Sequence, residues 1–85
     1  MVYTNLDRTS DALAAFRRAS RTDPTSVDAW IGIANAEMNL HDLDAAEEAL
    51  NQAKRFQPDR PVVTKTAERL QSLRLAGADR TRPNR

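Results

Sequence analysis

The sequence predicts an all-α chain of antiparallel helix hairpins stacked on one another, and three observations carry that reading. Ala12, Phe16, Ala19 and Pro24 recur 34 residues later as Ala46, Leu50, Ala53 and Pro58. A fixed period of this size marks a chain built from stacked units. Ala, Leu, Arg, Glu and Gln dominate and only two glycines occur, which favours helix. No stretch alternates apolar and polar residues with period two, so strands are not expected.

The first clear helix is expected over about 10–22. Thr9 or Ser10 can cap it and Asp11 complements the dipole of its first turn. Ala12, Ala15, Phe16 and Ala19 form a narrow apolar stripe at helical spacing. Pro24 ends the helix, because the residue before a proline is pushed out of helical geometry. A second helix follows over about 26–40, capped by Thr25 or Ser26, with Trp30, Ile33, Ala34 and Met38 on one face. His41 suits the tight turn after it, since His tolerates positive φ, and Asp7 holds the equivalent place one repeat earlier. Asp42 caps a third helix over about 43–56 whose inward face is Leu43, Ala46, Leu50, Ala53 and Phe56, closed by Pro58. Pro61 favours the first turn of a last helix and Gly77 its C-terminal cap. Val63, Ala67, Leu70 and Leu73 or Arg74 form its stripe. The basic, proline-containing segment 78–85 is expected to be disordered.

The stretch 27–60 resembles one complete tetratricopeptide repeat. The matching positions are Trp30, Ile33, Ala34, Ala46, Leu50, Ala53 and Pro58. Glu37 departs from the pattern, which usually has an aromatic there, whereas Tyr3 fills that slot in the preceding repeat. The resemblance divides the chain into a partial repeat over 1–26, a full repeat over 27–60 and a capping helix over 61–77, with 78–85 outside the module. It implies a short right-handed superhelical stack whose first helices line a concave face. It also implies a non-catalytic module for protein–protein interaction that binds a peptide or helix of a partner there. Such arrays usually need about three repeats for stability. One and a half repeats leave the stripe of Ala12 and Phe16 under-covered. A homodimer or higher oligomer, or a role as C-terminal cap of a longer scaffold, is therefore the alternative. An accessory module of an enzyme or secretion assembly would differ only in what is attached.

Composition narrows the function further. Eighty-five residues make one small domain, which buries only roughly 60–65 % of its unfolded surface. The net charge is +1, so nucleic acid is not the expected partner. The charge is unevenly spread. Positions 22–53 carry acidic residues and no Lys or Arg, whereas basic residues prevail from Asp59 onward, a pattern suited to head-to-tail contact or to solvated helix faces. No apolar run is long enough for membrane insertion. The start lacks the basic flank and apolar stretch of a signal peptide, and cysteine is absent. Both point to the cytoplasm by default, with a periplasmic or exported site open if the chain is a fragment. Eleven Arg against two Lys suggests a GC-rich, bacterial coding genome.

The residues expected to line the concave face are Ile31, Asn35, Met38, Lys65 and Arg69. Lys65 and Arg69 are four apart and share a helix face. Asn35 followed 30 residues later by Lys65, and then by Arg69, matches part of the carboxylate clamp of the resembling family, which holds the C-terminal carboxylate and an acidic side chain of an extended peptide. The donors suit carboxylate oxygens. The clamp's other Lys and Asn would lie on a preceding first helix. No metal and no cofactor is expected: His41 with Asp42, Asp44, Glu47 and Glu48 offers a single imidazole and no thiolate, and a turn with its cap already accounts for His41 and Asp42. No catalytic residues are assigned, because Ser10, Ser20, Ser26 and Ser72 have no base in a recognisable arrangement and no glycine loop cradles a phosphate.

Overall fold

The computed structural model describes the backbone over residues 3–81 and the side chains over residues 8–77. It contains four helices: α1 (Tyr3–Thr22), α2 (Val27–Asn39), α3 (Leu43–Phe56) and α4 (Pro61–Thr81). No strand occurs among the described residues. Consecutive helices pair, α2 also packs on α4, and α1 packs on α2 alone. The central helix α2 therefore has neighbours on three sides.

Local chemistry sets the element ends. Ser26 caps α2, its hydroxyl accepting from the Ala29 amide at 3.3 Å. Asp42 caps α3 in the same way, accepting from Ala45 at 3.2 Å. Asp28 and Asp44 occupy the first turns and Lys54 and Arg55 the last turn of α3, the arrangement the helix dipole favours. His41 has φ 66°, the one positive-φ non-glycine residue described, as the tight α2–α3 turn requires. The α1–α2 corner is tied by Asp23, whose carboxylate accepts from the Thr25 hydroxyl at 2.7 Å and the Thr25 amide at 3.1 Å. Trp30 Nε1 donates to the Pro24 carbonyl at 2.7 Å across the same corner.

The Thr25 hydroxyl, and then its amide, hold the Asp23 carboxyl below its ordinary value of 3.8. A depressed folded-state pKa contributes stability that is present above the ordinary value and lost as pH falls through the lower one. Trp30 emission is therefore expected to change slightly below about pH 4, and Asp23→Ala to remove that component. An unchanged acid profile in the variant would show that the corner does not titrate through Asp23.

The core joins α2, α3 and α4, with Leu13 of α1 added at one edge. Ala34, Ala46 and Ala53 are fully buried, so the helices approach closely with little void. Ile33 and Met38 are buried as their stripe predicts and Trp30 is half-buried against the core. Val63 and Leu70 are buried on α4, with Ala67 and Leu73 half-buried. Phe56, expected on the inward face of α3, is instead exposed at the end of the helix, its ring lying 6.0 Å from the Arg55 guanidinium.

Three further expectations about α1 and α4 need correction. First, α1 starts at Tyr3 and runs through Asp7, Thr9 and Ser10, so no turn forms at Asp7 and neither Thr9 nor Ser10 caps. Extending a formed helix backward adds a hydrogen bond per residue, whereas a turn at Asp7 would need a new helix nucleus within a few residues. Second, α4 passes through Gly77 to Thr81. No described glycine has positive φ, and a Cβ at Gly77 would meet nothing within 4 Å, so nothing forces a stop there. Third, Leu13 and Ser20 are the buried positions among the described side chains of α1, while Ala15, Phe16 and Ala19 are exposed. The Tyr3 side chain and segment 82–85 lie outside the described residues.

Candidate functional site

With α1, α3 and α4 around it, α2 keeps one partly open strip at helical spacing, with Asp28 and Asn39 exposed and Gly32 and Asn35 half-buried between them. Asp28 pairs with Arg60 at 3.0 Å at one end of this strip. At the other end α4 lies alongside, and Arg69 bridges the two helices: Nη1 donates to Asn35 Oδ1 at 2.9 Å and Nη2 to Asn39 Oδ1 at 2.8 Å. Lys65 is exposed one turn earlier on α4. Asn35, Lys65 and Arg69 thus share the α2–α4 face.

Ile31 and Met38 do not belong to that open face. They are 6 % and 2 % exposed and lie in the core. The helical spacing of positions 31, 35 and 38 is sound, but a helix packed on three sides has no surface left at 31 and 38. Asn39, in contrast, was not anticipated. Its signal is its spacing, four residues after Asn35 and 30 before Arg69, which makes it a second acceptor for the same guanidinium.

Other charges hold helices together. Arg74 Nη2 donates to Glu47 Oε1 at 2.7 Å, to Asp44 Oδ1 at 3.1 Å and to the Leu43 carbonyl at 3.2 Å. The hydrogen bond to Asp44 is the main reason that its guanidinium pKa is raised. Asp44 and Glu47 are therefore engaged with α4 and Asp42 with its cap. Among the described residues, no group of three or more His, Cys, Asp or Glu is placed to hold a metal ion. Glu37 is buried on α2 with its side chain 5 % exposed, and Arg17 of α1 donates to it at 2.7 Å.

Open grooves run between the helices among the described residues. One, of about 620 Å³, lies between α1 and α3 with Trp30, Ile33 and Glu37 of α2 as its floor. A second, about 370 Å³, separates α3 from α4 beside Leu75, which is 61 % exposed. The third, about 300 Å³, lies along α1 and α2. All three are open channels between helices.

Four helices paired as antiparallel hairpins, with small residues at the helix contacts and a 34-residue period, define an all-α helical-repeat protein. A family profile described as tetratricopeptide repeat matches residues 6–74, and the chain belongs to that family. Repeats of this family generally mediate protein–protein interaction and are typically non-catalytic. No curated protein and no solved structure shows a significant match to the chain. No described helix is long and apolar enough to cross a membrane.

Proposed function

We propose that this chain is a non-catalytic binding module that holds an extended, acidic segment of a partner protein on the α2–α4 face. The observation that carries the reading is the bridge from Arg69 to Asn35 and Asn39. It fixes a guanidinium between two amides on a partly open strip, with Lys65 one turn away on α4. Donors held in place in this way suit carboxylate oxygens and bind them more strongly than neutral acceptors. They also lose less entropy on binding than free side chains would.

The test is a titration of the chain with labelled extended peptides that end in an acidic residue, each paired with its C-terminally amidated form. The free-carboxylate peptides are expected to bind more tightly, and Lys65→Ala to weaken them by about tenfold or more. Equal affinity for both forms, or unchanged binding by Lys65→Ala, would remove the α2–α4 face as a carboxylate site.

A further inference from the structure

The groove of about 620 Å³ between α1 and α3 lies on positions that the helix stack leaves free. Arg17 and Arg21 on its α1 wall stand 34 residues before Asn51 and Arg55. Those two are exposed on α3 although α2 precedes that helix. Ala45, Glu48, Ala49 and Gln52 on the α3 wall stand 34 residues after Asp11, Ala14, Ala15 and Arg18. Those four are exposed on α1 although α2 and α3 follow it. A further helix stacked at the equivalent place before α1 or after α4 would therefore leave the groove open. Arg17 lies about 15 Å along α1 from residue 7, so described side chains form both walls.

The two walls carry opposite charge. On α1, Arg17 and Arg21 are one helical turn apart. Arg17 Nη2 donates to Glu37 of the floor at 2.7 Å, which holds the guanidinium in place and leaves its Nη1 and Nε as donors. The Arg21 side chain makes no hydrogen bond or ion pair among the described residues. On α3, Arg74 engages Asp44 and Glu47, whereas Glu48 is exposed and unpaired among the described residues. The amides of Asn51 and Gln52 line the groove beside it, equally without a described partner, and each offers both a donor and an acceptor.

We infer that this groove holds an extended segment of a partner protein whose charges run acidic, basic, acidic over three residues. The first and third side chains of such a segment point to one side, about 6.6 Å apart. That is close to the separation of Arg17 and Arg21, about 6 Å along α1. The middle side chain points the other way, toward Glu48, and its methylene stem suits the apolar floor of Trp30 and Ile33. An extended backbone brings open N–H and C=O groups to the Asn51 and Gln52 amides, whereas a helix has already paired its own. Walls of opposite sign then fix which edge of the segment faces which helix. The site shares no residue with the α2–α4 face and does not rest on it.

The experiment uses short peptides blocked at both ends, with Glu-Arg-Glu or Lys-Glu-Lys at the centre between glycine and serine flanks. Binding is read by anisotropy of the labelled peptide and by emission of Trp30, the one tryptophan of the chain. The Glu-Arg-Glu peptide is expected to bind, to change that emission, and to weaken as salt rises. The Lys-Glu-Lys peptide should bind about tenfold more weakly or less well still. Exchanging the walls by Arg21→Glu with Glu48→Lys should reverse the preference while circular dichroism keeps its helical signal. Glu48→Lys alone should weaken the Glu-Arg-Glu peptide about tenfold, and it decides the matter where the double variant loses helicity. Lys65→Ala should change neither peptide. Equal binding of the two peptides, binding of neither, or a preference that survives the exchange overturns the groove. Loss with Lys65→Ala but not with Glu48→Lys also overturns it and leaves the α2–α4 reading standing. A stapled helical peptide of the same charges that binds more tightly gives the groove to a helix. Self-association in sedimentation that Glu48→Lys abolishes gives it to a second copy. Either result overturns the extended occupant.

Discussion

Leu50→Ala is expected to cost about 2–5 kcal/mol, and Phe16→Ala, at the same place in the repeat, only about 1 kcal/mol. The chemistry alone would predict the reverse order, because phenylalanine is the larger side chain. The environment decides. Leu50 is 2 % exposed inside the core, so its truncation loses transfer free energy and leaves a cavity between helices that cannot fully collapse. Phe16 is 37 % exposed, and its removal opens a site to solvent that is already half open. A chain of 85 residues holds on the order of 5–10 kcal/mol in total, so Leu50→Ala should remove a large share of it. Urea denaturation followed at Trp30 and by helicity would give both values. Equal costs would mean that the α1 face is covered in solution as completely as α3 is.

Much of this was legible because it depends on local chemistry. Ser26 and Asp42 announce helix starts by type and position, and His41 sits where only a few residue types tolerate the backbone. The 34-residue period located Ala46, Leu50 and Ala53, whose burial is complete. What was not legible depends on which neighbours are present. Ala12, Phe16 and Ala19 carry the same pattern as their counterparts, yet periodicity states which positions are equivalent and not whether each is covered. The same limit hid Ile31 and Met38, whose exposure was decided by how many helices surround α2. Asp7 and Gly77 show the converse. Each is compatible with a helix end, but compatibility does not impose one, and α1 and α4 run through both.

Glu37 is the residue at which pattern and structure differ most, and Arg17→Ala is expected to show why it is tolerated. Its carboxylate occupies a position where the family pattern favours an aromatic, and its side chain is 5 % exposed while that of Arg17 is 54 % exposed. Removing one partner of a fully buried pair costs about 3–5 kcal/mol, because the other charge stays buried without compensation. Solvent around the half-exposed arginine screens this pair, which brings the expected cost of Arg17→Ala to about 1–3 kcal/mol. The double variant Arg17→Met with Glu37→Leu removes the buried charge along with its partner. It is expected to be near neutral or stabilising, since apolar side chains of similar volume avoid the desolvation cost. Denaturation midpoints of the wild type, Arg17→Met, Glu37→Leu and the double variant close the cycle. A double variant as unstable as Arg17→Ala would mean that the arginine acts by packing its stem over α2 and not by neutralising Glu37. The pair therefore replaces an apolar contact between α1 and α2 with an ionic one, and the α1–α2 junction should respond more to loss of Arg17 than to salt, because one of the two charges is shielded from it.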